Sequence, residues 1–343
     1  MFFNMANEWK DIAQDEPVFE FAVNSLDTAY STQVNQVRLL SNHDGAPRLF
    51  YSDIETAVCA DGECKLANIK VYWNLLGHYT GFGISPEMPL TKYEHDHFET
   101  EDYAKLHQLL LDDNSILKRR KMADLIDKIP VSPLDINSKD IDGISGATKK
   151  EIKESVVKGG LYSCYTLWHI VHGEVRDKMY EYFESICSEN LVVYLLDTPY
   201  SDYQMYALKQ LDKRGFEEHS NQIVSIFKTA DASTRAYILK KISNGILSDQ
   251  KISSQLYETF PKTDINTRTL LIKNLENAHS SAVEILSAYT HFMTKNHLKL
   301  YLEYLEETSA SNKKEIRFNL KKAGNAKEYA YAYLIKEFLE SNN

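Results

Sequence analysis

Residues 140–155 read DIDGISGATKKEIKES. Four small residues, Ser145-Gly146-Ala147-Thr148, stand directly before a charged stretch whose spacing predicts a helix. Two chemistries use that arrangement. In the first, Thr148 and Glu151 form a capping box, the hydroxyl accepting from the first helical turn and the carboxylate returning a bond to the Thr amide. In the second, the unpaired amides and positive dipole end of that turn draw in a phosphate. Gly146 and Ala147 leave room for it, Lys149 and Lys150 add positive charge, and the Thr148 hydroxyl could carry the phosphate as an ester.

Other groups with chemical potential are sparser. His95-Asp96-His97 is a titratable cluster on an expected loop, with His107 on the following helix, but no third ligand stands at a definite metal spacing. His169 and His172 share one helix face beside Trp168 and one turn from Cys164; packing is the plainer reading, and haem or metal ligation the sharper one. Cys59 and Cys64 bracket a hairpin turn, Ala-Asp-Gly-Glu, and either bridge or remain two thiols. The chain has no nucleophile elbow, Walker loop, dinucleotide-binding glycine pattern or His-Glu-x-x-His. Conventional hydrolase or dehydrogenase chemistry therefore has no support.

The elements that must position these residues fall into two kinds. The 343 residues suggest two domains or more, and a hydrophobic content of 43% is ordinary for globular protein. A net charge of −10 argues against a nucleic-acid surface, and the basic run Lys118-Arg119-Arg120-Lys121 reads as a solvated helix face. No apolar stretch is long enough to span a bilayer, and the first residues show no leader pattern.

Residues 1–44 are expected to be a helical N-terminal segment, with one helix in 17–40. From Leu49 to about Ile84 the alternation of Val, Ile, Tyr, Phe and Trp predicts an antiparallel meander of three strands. Helices follow at TEDYAKLHQLLLDD, with Thr100 as cap, and at ILKRRKMADLIDKI. Residues 149–173 are expected to be largely helical, bent at Gly159-Gly160 and stopped at Gly173. From about 176 onward only short amphipathic helices remain. Segments 201–211, 232–242, 265–275 and 312–323 resemble one another, the first three recurring every 31 to 33 residues. Helices with so narrow an apolar face must stack, which points to a HEAT-like all-α solenoid over 176–343.

Asp140-Ile-Asp142-Gly143-Ile144-Ser145-Gly146-Ala147-Thr148 resembles the D…SGAT signature of the FMN-binding domain family, found in NqrC- and RnfG-like subunits of membrane redox complexes and in related extracytoplasmic electron carriers. In that family a flavin transferase links the FMN phosphate to the Thr that ends the motif. The resemblance covers 45–175 and implies an α+β domain with an antiparallel sheet. It implies Thr148 as the attachment site, Ser145, Gly146 and Ala147 as the phosphate loop, and Asp142 as part of the recognition sequence. Lys149-Lys150 stands where the family commonly has another Ser or Thr, which keeps non-covalent FMN open beside the ester.

The aromatics available to stack on an isoalloxazine are Trp73, Tyr79, Phe82, Tyr162, Tyr165 and Trp168, with Trp73 and Trp168 foremost. On this reading the chain is a redox carrier rather than a stand-alone enzyme. Its helical repeats dock a redox or scaffold partner, and the resemblance implies an extracytoplasmic location. The alternative is a non-enzymatic interaction module whose flavin-binding-like domain is empty.

Overall fold

The computed structural model describes residues 2–3, 11–23, 32–58, 66–92, 95–121, 125–128, 146–148, 152 and 154–342. The chain divides into two compact units, Met1–Cys187 and Ser188–Asn343.

The first unit is built on an antiparallel sheet. Strands β2 (Ile12–Val23), β3 (Gln33–Asn42), β4 (Pro47–Ala57), β5 (Leu66–Asn74) and β6 (Tyr79–Ile84) pair in sequence order, and the two-residue β1 (Phe2–Phe3) adds to the far side of β6. The three-strand meander expected from 49 to 84 is thus present as β4–β6. The helix expected within 17–40 is not. Its place is taken by β2 and β3, whose alternation is disguised because Val34 points outward while Asn35 is buried. Pro17 sits within β2, which a sheet tolerates because β2 is an edge strand and the register shifts between Pro17 and Phe19.

Alternation assigns the two faces. Leu39, Phe50, Trp73 and Tyr79 line up across β3 to β6, with Val37, Ser52, Val71 and Phe82 one layer on; all eight are buried. On the opposite face Tyr51 stacks on Tyr72, with ring centroids 5.3 Å apart, and Asp53 accepts from Asn68 at 2.6 Å. Lys70 and Arg38 form ion pairs there with Asp53 and Asp15.

Helices α1 (Thr100–Leu111), α2 (Leu161–His172) and α3 (Glu174–Ile186) complete the unit. Helix α1 starts one residue earlier than Thr100 predicts: Glu99 is the cap, its amide bonded to the Asp102 carboxylate at 2.8 Å. The helix expected over ILKRRKMADLIDKI is replaced by a 3-10 turn at Ile116–Arg119, started by Ser115, and a short strand β7 (Ile126–Lys128). Lys118, Arg119 and Lys121 are exposed, as a solvated run should be. Helix α3 belongs with the sheet, burying Val175, Met179 and Phe183 and placing Tyr182 edge-on to Phe50.

The second unit is helical: α4 (Glu189–Asp197), α5 (Ser201–Gln210), α6 (Lys213–Glu218), α7 (Ser220–Thr229), α8 (Ala232–Lys241), α9 (Asn244–Leu247), α10 (Gln250–Tyr257), α11 (Ile265–Lys273), α12 (Ser280–Ala288), α13 (Lys295–Glu307), α14 (Lys314–Gly324) and α15 (Ala332–Ser341). Ten of them pack in two rows, α4-α7-α10-α12-α14 and α5-α8-α11-α13-α15. Segments 201–211, 232–242 and 265–275 are α5, α8 and α11 of the same row. The segment 312–323 forms α14 and stands in the other row; the next member of the first three's row is α13.

A local module repeats within that row. Phe227, Asp231, Thr234 and Arg235 recur 33 residues later as Phe260, Asp264, Thr267 and Arg268. Each Asp caps its helix by accepting the Thr amide, at 2.8 and 3.0 Å. Each Arg reaches back over the Phe ring to the Phe carbonyl, both at 2.9 Å.

Candidate functional site

Gly146–Thr148 forms strand β8, paired antiparallel with β7 so that Thr148 lies opposite Ile126, Ala147 opposite Asp127 and Gly146 opposite Lys128. Thr148 therefore has extended backbone, not the first turn of a helix running to Gly173. The Ile152 carbonyl accepts the amides of Ser155 and Val156, a single turn. Gly159, at φ +75°, reverses the chain, and Gly160 opens α2 at Leu161. The bend at Gly159-Gly160 and the stop at Gly173 are thus where the glycines indicate, but residues 154–160 are turns. Asp142, Ser145, Lys149, Lys150 and Glu151 lie outside the described residues, as do Cys59 and Cys64.

The aromatic candidates are pins of the core. Trp73 is fully buried and donates its indole N–H to the Val171 carbonyl at 3.0 Å. Trp168 donates to the Asp112 carbonyl at 2.9 Å, and His172 bonds the Leu110 carbonyl at 2.9 Å through Nε2. Helix ends leave their last carbonyls without intrahelical amides. Trp73 thus serves the end of α2, and Trp168 and His172 serve the end of α1. Tyr79 bonds His107 Nδ1 at 2.8 Å, Phe82 packs against Tyr103, and the Tyr165 hydroxyl donates to the Arg120 carbonyl at 3.2 Å. Tyr162 is half-buried on α2. The structure brings Trp73 and Trp168 to the α2 packing layer as hydrogen-bonded core residues.

Burial lowers the pKa of His107, His169 and His172, the last to about 4, so all three imidazoles are neutral at pH 7. Among the described residues no three His, Cys, Asp or Glu side chains converge as a metal site. His107 is instead a core residue, while His95 occupies a left-handed turn at φ 62° and His97 a bridge with Thr91.

Sequence reasoning missed a cavity of about 350 Å³ lined by β2, α2 and α3. Thr166 and His169 line it, and each retains a buried polar atom, Oγ1 and Nε2, without a hydrogen-bond partner. The available signal was their separation of three on a helix already expected, which places both on one face. No protein-family model, no curated protein and no solved structure matches this chain.

Proposed function

We propose that this chain is a flavin-bearing electron-transfer protein, with FMN joined through its phosphate to Thr148. The observation that carries the reading is the run Asp142-Gly143-Ile144-Ser145-Gly146-Ala147-Thr148. Pairing of Gly146–Thr148 with β7 is compatible with it, because it fixes the backbone of the three residues that end the motif. Thr148 anchors the phosphate, Ser145, Gly146 and Ala147 give it room, and Asp142 belongs to the sequence that a flavin transferase would read. Bound FMN would supply the one- and two-electron chemistry; the chain supplies attachment and shelter. The ring rests elsewhere than on Trp73, whose faces are enclosed by the core. The two rows of helices in the second unit, read as a HEAT-like array, dock the redox or scaffold partner.

The test is the intact mass of the chain co-expressed with a flavin transferase, with in-gel flavin fluorescence after denaturation. An increment of one FMN less one water is expected, and it should vanish in Thr148→Ala. Covalent flavin retained by that variant overturns the assignment.

A second reading is favoured by the use of both Trp73 and Trp168 as main-chain hydrogen-bond donors. Here the first unit holds no flavin, and the chain is an interaction module built on its helical rows. It predicts colourless protein with no mass increment and no uptake of added FMN.

A further inference from the structure

The second unit turns two large apolar side chains outward along one edge. Ile265, the first residue of α11, is 61% exposed, and Phe292, in the turn that precedes α13, is 39% exposed. Bonds within the unit bring them to that edge together. Arg268, one turn along α11 from Ile265, donates to the Phe292 carbonyl at 2.9 Å. The Thr269 hydroxyl bonds the Ile265 carbonyl at 3.0 Å and Nε2 of His297, on α13, at 2.9 Å. The Phe292 ring packs beside two others, its centroid 4.1 Å from that of His291 and 6.2 Å from that of Tyr289. Single exposed apolar residues need no explanation, but a pair held in place by the fold is a surface that a partner can cover.

Charge decides which partner. Lys262 and Lys295, both exposed, stand three residues before Ile265 and three after Phe292. Among the described residues neither lysine nor Arg268 has a carboxylate partner. Asp264 is the only acidic residue in 259–275 and 289–299. Its carboxylate is already engaged, accepting the amides of Asn266 and Thr267 at 2.9 and 3.0 Å. Whatever covers Ile265 and Phe292 therefore desolvates positive charge, and carboxylates on the partner would compensate it. An anionic bilayer or a nucleic acid fits less well. Such surfaces are held by clusters of about 4–8 basic residues, and a chain of net charge −10 is repelled by them as a whole. We propose that the edge where α11 and α13 begin docks a short acidic peptide segment of another protein. Its apolar side chains lie over Ile265 and Phe292, and its carboxylates face Lys262 and Lys295. The inference rests on the reading of the helical rows as a docking array and is independent of flavin at Thr148.

Fluorescence anisotropy on the full chain, produced without a flavin transferase, tests it. The probe is a fluorescein-labelled peptide with two leucines flanked by glutamates. Saturable binding is expected, weakened about tenfold or more when serines replace the leucines or lysines replace the glutamates. The double variants Ile265→Ser with Phe292→Ser and Lys262→Glu with Lys295→Glu should each weaken the unaltered peptide by a similar factor, with far-UV circular dichroism confirming that they fold. Ile265→Ser alone carries the comparison if the loss of Phe292 disturbs folding, since its side chain is the more exposed. Absence of saturable binding overturns the proposal. Binding that none of these variants weakens overturns this edge as the site while leaving the docking role of the rows intact. Phosphatidylserine vesicles bound through the same lysines, with no binding of the peptide, would overturn the partner class.

Discussion

Trp73 on β5 and Val171 on α2, 98 residues apart in sequence, are joined by a hydrogen bond of 3.0 Å from the indole to the carbonyl. The carbonyl is one of those at the end of α2 that no helical amide can reach, so the bond closes the helix and fixes it to the sheet at once. Trp73→Phe removes the donor and leaves the carbonyl buried. A loss of about 3 kcal/mol is expected, combining the unsatisfied acceptor with a reduced side-chain volume. Trp168, like Trp73, lies in the first unit, and the sequence has no tryptophan after Cys187. Urea unfolding followed by the remaining tryptophan emission will therefore report that unit alone, and an unchanged midpoint would remove Trp73 from its anchoring role.

His172 makes the same layer sensitive to acid. Burial holds its imidazole at about 4, below the ordinary 6.5, with Arg176 lowering it further and the bond to the Leu110 carbonyl opposing. Between those values the unfolded chain takes up a proton that the folded chain does not, so stability rises with pH through the window. Its contribution is complete above about 6.5, is lost as pH falls toward 4, and changes no further below. Discounted for the partial exposure of the ring, the swing is on the order of 2 kcal/mol. Burial of His107 and His169 acts in the same direction. Urea midpoints at pH 7 and 4.5 should differ less in His172→Gln than in the unaltered chain, and equal losses would exclude His172 as a source.

How much of this was legible in the sequence depends on what each residue type can disclose. Strands β4 to β6 were legible because inward Phe50, Ile54, Ile69 and Val71 alternate with outward Asp53 and Lys70. Strands β2 and β3 were not, because an exposed Val34 and a buried Asn35 invert the pattern where it would be read. The SGAT run was legible as a motif, but its backbone was not: tertiary pairing with β7 took Gly146–Thr148 into a ladder that local capping chemistry does not reveal. Trp73 and Trp168 stood out as ring partners because a sequence shows the aromatic surface and hides the destination of the N–H. The segment 312–323 resembled α5, α8 and α11 in apolar spacing, yet spacing does not say which row a helix joins. The Phe-Asp-Thr-Arg module at Phe227 and Phe260 is the stronger repeat signal, since it specifies contacts as well as periodicity.

That module is open to direct test. Arg268 donates to the carbonyls of Phe260, Pro261 and Phe292 at 2.8 to 2.9 Å, whereas Arg235 donates to those of Phe227 and Lys228 at 2.9 and 3.2 Å. Arg268→Ala should therefore cost more, about 2–3 kcal/mol against about 1–2 for Arg235→Ala. Arg268→Lys should recover little, because a single ammonium on a flexible stem does not reproduce a planar fork over three acceptors. Thermal unfolding by far-UV circular dichroism should shift while the tryptophan transition does not. The reverse order of costs would mean that ring packing, shared by both arginines, outweighs the carbonyl bonds.

Gly173 closes α2 and opens α3, and its requirement for glycine is steric rather than conformational. Its φ of −82° is open to any residue, but a Cβ there would lie 2.4 Å from the His169 carbonyl oxygen. That oxygen belongs to the backbone of α2, so relief requires moving the helix that carries Trp168, His169 and His172, not turning a flexible side chain. Gly173→Ala should cost about 3 kcal/mol, at the upper end of the range for overpacking. Gly83→Ala is the matched control: a Cβ on β6 meets nothing nearer than the Lys70 Cβ at 3.8 Å, and the change should cost less than about 1 kcal/mol. Urea unfolding of the two alanine variants checks the difference, and a Gly173→Ala chain as stable as Gly83→Ala would show that α2 and α3 are not held at the corner described.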